Sequence, residues 1–200
     1  MGWLLIATVL TALFMILTSN IYPFLAPEKP PQKGLMVIEG WIHDTALDEA
    51  IARFQEGDYS KIACTGVPFE IGSYLFDFKS YPEMTAMRLI KQGIDPEKII
   101  ISVGDDVKKD RTYMAATALK KSLRDQNIAE TDLHLITTGP HGRRSLILFK
   151  KALGPQYTIG VTCLPPPSYD PADWYTCSEG VRYVINELLA YGYAKLFFHP

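Results

Sequence analysis

The chain is short of cysteine, has no excess of either charge, and carries no charged side chain before Glu28. Three cysteines, Cys64, Cys163 and Cys177, show no C-x-x-C spacing, so neither a disulfide framework nor a zinc-finger pattern is available. Twenty basic residues against 22 acidic ones give a formal net charge of -2. That balance excludes the broad positive face a nucleic acid polymer requires, and any basic site must be local. There is no G-x-G-x-x-G, no Walker A and no G-x-S-x-G, which removes the common dinucleotide, P-loop and hydrolase signatures. No internal repeat or low-complexity tract occurs. With 200 residues, 48% hydrophobic and 21% charged, the remaining class is one globular domain with an appendage.

A mean hydropathy near zero conceals an uneven distribution. From Trp3 to Leu17 the chain is almost wholly apolar, and continuing to Ala26 gives the roughly 20 residues a helix needs to cross a bilayer core. Trp3 at one end and Tyr22 and Phe24 at the other fit interfacial aromatics, with Pro23 at the exit. A cleaved signal peptide is the rival, but no Lys or Arg precedes the run and no clear A-x-A site follows it. Residues 1–26 are therefore expected to be a retained single-pass anchor. Residues 27–33, within APEKPPQK, suit a stiff Pro-rich spacer, and residues 34–200 form the domain. Lys29 and Lys33 follow the span, so a positive-inside count places the domain in the cytoplasm.

Beyond the spacer, short apolar runs alternate with amphipathic ones. Leu35–Ile38, Lys61–Thr65, Ile99–Val103, Leu133–Thr138 and Tyr157–Cys163 read as strands. Leu47, Ala50, Ile51 and Phe54 fall at helical spacing behind Asp44 or Thr45 as cap. Further helices are expected over Glu83–Gln92, Thr112–Leu123, His141–Leu153 and Ser178–Phe197. Strict alternation implies an α/β, Rossmann-like three-layer sandwich with a mostly parallel sheet.

Ligands of such sheets bind outside the carboxyl ends of the strands. Those ends carry Glu39, Gly40 and Trp41; Thr65 and Gly66; Arg111 and Thr112; and Thr138, Gly139, His141, Arg143 and Arg144. Cations at a helix N-terminus oppose the helix dipole, by about 0.3–1 kcal/mol each. An anionic ligand reverses that sign, so TTGPHGRRS (Thr137–Ser145) reads as a phosphate or carboxylate site. Gly40, Thr65, Gly66, Arg111, Thr112, Thr138, Gly139, Arg143 and Arg144 are the candidate ligand-binding residues. His141, as acid or base, and Glu39, as its partner or as base, are the candidate catalytic pair. The competing reading is that the arginines are solvated or paired with Asp105, Asp106 or Asp110, and that Glu39 forms an internal salt bridge. His43 and His141 come from separate loops without ligand spacing, so no metal site is expected. No cofactor is implied, and His134, inside a strand, reads as structural.

The order of elements, Thr65-Gly66 after the second strand, DRTYMAA (Asp110–Ala116) and TTGPHGRRSLILFKKALG (Thr137–Gly154) together resemble the ElyC/SanA/YdcF family, across the whole domain. His141 and Arg144 match its H-x-x-R element, and Thr112-Tyr113 its N-T-Y-like element. The chain departs at Glu39-Gly40-Trp41, where a double glycine is more usual, and at Ala115 or Ala116, where Asn is common. The resemblance implies a domain outside the cytoplasmic membrane, engaged in cell-envelope or peptidoglycan-precursor maintenance, with a small anionic ligand and an envelope protein as partners. A phosphorylated or nucleotide-like substrate, and a non-catalytic ligand-binding or scaffold role, both remain open on these grounds. That location would permit a Cys163–Cys177 disulfide, with free thiols as the equal alternative, and leaves Cys64 buried and unpaired. Tyr191, Tyr193, Leu196, Phe197 and Phe198 make an apolar end to the last helix, expected to pack on the core.

Overall fold

A computed structural model of the chain describes residues 2–31 and 33–200. Met1 and Gln32, which the expected anchor and spacer include, lie outside the described residues. Five parallel strands, β1 (Lys33–Glu39), β2 (Asp58–Gly66), β3 (Ile99–Val103), β4 (Asp132–Thr138) and β5 (Thr158–Leu164), form one sheet in the order β3-β2-β1-β4-β5. Helices α2 (Asp44–Glu56) and α3 (Tyr81–Lys91) cover one face, and α4 (Arg111–Asp125) and α5 (Gly142–Leu153) the other. The α/β reading therefore holds.

Strand alternation divides the core. Met36 and Ile38 of β1 meet Leu47, Ala50, Phe54 and Leu89 on one side, whereas Leu35 and Val37 meet Leu119, Leu123 and Phe149 on the other. Burial on both faces is why β1 and β4 read as continuous apolar runs. α3 begins at Tyr81, earlier than the sequence suggests, because Ser80 caps it: the Ser80 hydroxyl accepts from the Glu83 N–H at 3.4 Å and donates to the Glu83 carboxylate at 2.8 Å. His134 is structural as expected. Its Nδ1 lies 2.6 Å from the Tyr59 hydroxyl and its Nε2 2.9 Å from Thr162, and burial lowers its pKa to about 4, so the ring is neutral.

At the N-terminus, α1 (Gly2–Leu25) is long and apolar enough to cross a membrane. Pro23 sits inside its last turn rather than ending it. Thr18, Tyr22 and Leu25 are buried on the domain, where the Trp174 indole donates to the Thr18 carbonyl at 3.0 Å. The Pro-rich stretch is not a spacer. Lys29 exchanges both backbone hydrogen bonds with Val161 of β5, at 2.8 and 3.1 Å, and the Glu28 carboxylate accepts from the Thr162 hydroxyl at 2.8 Å. β5 is an edge strand with unpaired backbone groups, and the strap covers them.

The last helix, α6 (Ser178–Leu196), lies against α1 and α5. Only part of its apolar end packs inward: Phe198 is buried against Leu148 and Tyr113, but Leu196 and Phe197 are exposed. The three cysteines are free thiols, so Cys163 and Cys177 are not paired. The Cys163 thiol instead donates to the Pro27 carbonyl in the strap at 3.2 Å.

Candidate functional site

The strand order reverses between β1 and β4, and at such a switch point the loops diverge to leave a crevice. Glu39 ends β1, while β4 runs through Thr137 and Thr138 into a single 3₁₀ turn, Gly139–His141, that feeds α5. Gly139 holds a φ of +52°, a left-handed turn that lets His141 fold back toward Glu39. The crevice is a cleft of about 470 Å³ lined by residues including Glu39, Trp41, Thr65, Arg111, His141 and Glu187.

A charge chain is buried at its floor. Glu39 is only 3% exposed and accepts hydrogen bonds from the Ser145 hydroxyl at 3.0 Å and from the Thr137 hydroxyl. Burial pushes its carboxyl up, but the His141 charge and these hydroxyls outweigh burial and hold it below the usual carboxylate range. His141 Nδ1 lies 2.9 Å from Glu187 Oε1, and its Nε2 3.5 Å from Glu39 Oε1. Burial alone would lower the imidazole; the two carboxylates reverse this and raise it to about 9. Arg144 grips Glu187 with Nε at 2.8 Å and Nη2 at 2.9 Å. Burial raises the Glu187 carboxyl, yet His141 and Arg144 bring it down to about 2.

Arg144 Nη2 also lies 2.9 Å from His141 Nδ1. A protonated Nδ1 has no lone pair to accept that donor, so the Nδ1–H belongs to Glu187 and Arg144 is held by the carboxylate. Glu39, His141, Glu187 and Arg144 then sum to no net charge, which is how four ionised groups tolerate burial.

Within the Glu39–His141–Glu187–Arg144 cluster one polar atom lacks a hydrogen bond. His141 Nε2 is buried and lies 3.5 Å from Glu39 Oε1 without forming a hydrogen bond to it or to any other described residue, and it belongs to a residue that lines the cleft. On the same cleft α4 begins at Arg111 with no side-chain cap, after Asp110 in a left-handed conformation at φ +59°. Its first-turn N–H groups carry the partial positive charge of a helix terminus. Arg111 is half exposed and ion-paired to Glu70 at 2.6 Å, a contact worth about 0–1 kcal/mol and therefore easily exchanged for a ligand.

The structure brings together Glu39, Thr65, Gly66, Arg111, Thr112, His141 and Arg144 on this cleft. It does not bring in Arg143, whose Nε donates to the Phe24 carbonyl and whose guanidinium stacks 4.1 Å over the Phe24 ring. Gly40 packs rather than binds: a Cβ there would come within 2.7 Å of the Tyr81 backbone. Gly139 acts through its turn. Thr138 lines a second cavity of about 310 Å³, shared with Tyr169 and Asn186 and divided from the first by Trp41 and Tyr183. The Thr138 hydroxyl and the Tyr169 phenol are both buried there without partners. His43 lies on that second cavity, away from His141, and among the described residues no group of His, Cys, Asp or Glu could hold a metal ion. Arg111, Arg143 and Arg144 turn to Glu70, Phe24 and Glu187 rather than to Asp105, Asp106 or Asp110.

Glu187 was missed from sequence. Its signal is that it is the one charged side chain between Arg182 and Lys195 of the closing helix, since buried acids need partners. Trp41 was noted only as the end of a strand, yet it packs edge-on against the His141 ring at 5.0 Å. Comparison of the chain with family models, curated proteins and solved structures finds no match.

Proposed function

We propose that this chain is a single-pass membrane protein of ElyC/SanA/YdcF type that binds a small phosphorylated molecule, and acts on it as a hydrolase or transferase in cell-envelope maintenance. The observation that carries the reading is the buried Nε2 of His141, which has no hydrogen bond within the protein and only a 3.5 Å ion-pair contact with Glu39, in a residue lining the same cleft as the uncapped N-terminus of α4. A phosphate bound in that cleft would be drawn by the positive charge of both.

The proton balance narrows the role of His141. With a pKa near 9 the imidazole is charged at neutral pH, so it donates a proton rather than abstracting one. Glu187 fixes the ring by holding Nδ1–H, and Nε2–H, which lies 3.5 Å from Glu39 Oε1, is the proton available to a leaving-group oxygen. Glu39 neutralises the charge from the other side. Ser145 is not a nucleophile, because its hydroxyl is given to Glu39 and the residue is fully buried. Water or an acceptor hydroxyl would attack phosphorus as the bond to the leaving oxygen breaks; that oxygen takes the His141 Nε2 proton, and the proton of the nucleophile passes back to the imidazole. The second cavity has room for the rest of the substrate and offers the free hydroxyls of Thr138 and Tyr169. The resemblance, not the cleft, supports a domain outside the cytoplasmic membrane.

The test uses the full chain in nanodiscs, with the tryptophan fluorescence change that Trp41→Phe abolishes reporting inorganic phosphate, pyrophosphate and simple phosphomonoesters, alongside release of phosphate. Saturable binding that His141→Gln and Thr112→Val both weaken, with turnover lost in His141→Gln, is the expected result. Binding indifferent to both substitutions overturns the site. Binding that needs His141 with no release from any ester leaves a ligand-binding protein without turnover.

A further inference from the structure

A second surface is left uncovered by the described residues. Between β2 and α3 the chain forms a lobe, residues 67–80, whose sequence VPFEIGSYLFDFKS is mostly apolar. Ile71 is 90% exposed, Tyr74 83% and Leu75 67%, with Phe76 half exposed beside them. Single exposed apolar side chains are ordinary, but three at such exposure within five residues are not.

The lobe is built to hold that surface outward. Phe76 and Phe78 stack at 5.2 Å, and Phe69 packs edge-on against Tyr81 at 4.8 Å. The Phe69 N–H donates to the Lys79 carbonyl at 3.0 Å, closing the neck. Lys79 turns its ammonium inward, donating to the Ser73 carbonyl at 2.8 Å and to the Phe76 carbonyl. The one cation of the lobe is thus used internally, and the tip from Ile71 to Phe76 carries no charge.

The position of α1 identifies what covers the tip. The lobe follows β2 at the carboxyl edge of the sheet, and α1 docks on the segments that follow β4 and β5 at that same edge. Phe14 of α1 lies edge-on to Tyr175 at 6.2 Å, and the strap at Lys29 is bonded to β5, so no slack separates helix from domain. A bilayer around α1 would face that carboxyl edge.

We propose that the lobe is a second membrane contact, with Ile71, Tyr74 and Leu75 inserted into the interfacial region of the bilayer that α1 spans. This rests on the reading of α1 as a membrane span. Val67 and Tyr81 at the base of the lobe line the cleft, and Glu70 within it pairs with Arg111 at the cleft wall. The cleft consequently opens at the lipid surface, and a ligand attached to a lipid reaches it without leaving the membrane.

The test places an environment-sensitive label on the full chain, in vesicles of zwitterionic phospholipid, at Ile71→Cys, Leu75→Cys, Leu5→Cys or Lys121→Cys, after subtracting the signal of the chain without an added cysteine. Leu5 reports on α1, and Lys121, exposed on α4 away from the lobe, reports on water. Quenching at positions 71 and 75 by shallow lipid-borne quenchers, with severalfold less quenching by iodide than at 121, is expected. Iodide access at 71 and 75 equal to that at 121, while 5 is quenched from lipid, overturns the lobe and leaves the span standing. Iodide access at 5 overturns the span and the proposal with it. Protection of 71 and 75 from both quenchers marks a protein contact and also overturns it.

Discussion

Replacing Glu187 with Gln removes the charge that the buried His141 and the part-buried Arg144 share while keeping side-chain volume. In the native protein the carboxylate is 7% exposed, holds Arg144 through two bonds of 2.8 and 2.9 Å, and holds His141 through one of 2.9 Å. The amide oxygen introduced by Glu187→Gln could still accept a bond, but Arg144 and a protonated His141 would be left sharing a neutral partner. Removing one member of a buried ion pair costs about 3–5 kcal/mol. At roughly 2–4 °C per kcal/mol for a domain of this size, Tm should fall by about 10 °C. Full-chain protein in detergent micelles, unfolded thermally and followed by near-UV circular dichroism, provides the assay. A companion double variant, Glu187→Leu with Arg144→Met, removes charge from both partners and should recover part of the loss. The reasoning is refuted if Glu187→Gln lies within about 0.5 kcal/mol of the native protein, the range of a neutral surface substitution.

The other predictions follow from the same geometry. His141 has a folded pKa raised from 6.5 to about 9, so its contribution is complete below pH 6.5 and is lost as pH rises through 9. At about 1.4 kcal/mol per tenfold change in proton affinity, that loss is roughly 3 kcal/mol and should appear in urea midpoints between pH 6.5 and about 9.5, disappearing in His141→Gln. Arg143→Ala should leave phosphate binding unchanged, since that side chain faces Phe24; unaltered titration curves check it. Gly142→Ala places a methyl group against the Cys163 sulfur and should destabilise by about 1–3 kcal/mol, measured by urea denaturation. Mass spectrometry after alkylation of unfolded, unreduced protein should count three free thiols.

The sheet and its helices were legible because β1 to β5 are apolar runs and the helices between them carry a 3.6-residue stripe. Boundaries moved where polar residues extend an element, as at Asp58–Ser60 of β2, or where a cap lies upstream, as at Ser80. His141 and Glu39 were legible as residues at strand ends, and the topology brings them together. Arg143 and Arg144 looked equivalent in sequence, yet one helical step of about 100° sends one to α1 and the other to α6. Glu187 meets His141 across 46 residues, and no local pattern encodes a contact of that range. The Pro-rich strap read as a spacer because proline stiffness is visible in a sequence, whereas the unpaired edge of β5 that captures Lys29 exists only once the sheet has formed.

The proposed chemistry turns on a protonated His141 whose Nε2 awaits an anion. Histidine-selective ¹⁵N NMR of the full chain, which has four histidines, reads it directly, with His141→Gln supplying the assignment. His141 is expected to titrate near pH 9 and His134 to stay neutral down to about pH 4, while saturating inorganic phosphate shifts the His141 Nε2 resonance and raises its pKa further. A His141 that titrates near 6.5, its ordinary value, and does not respond to phosphate would contradict this.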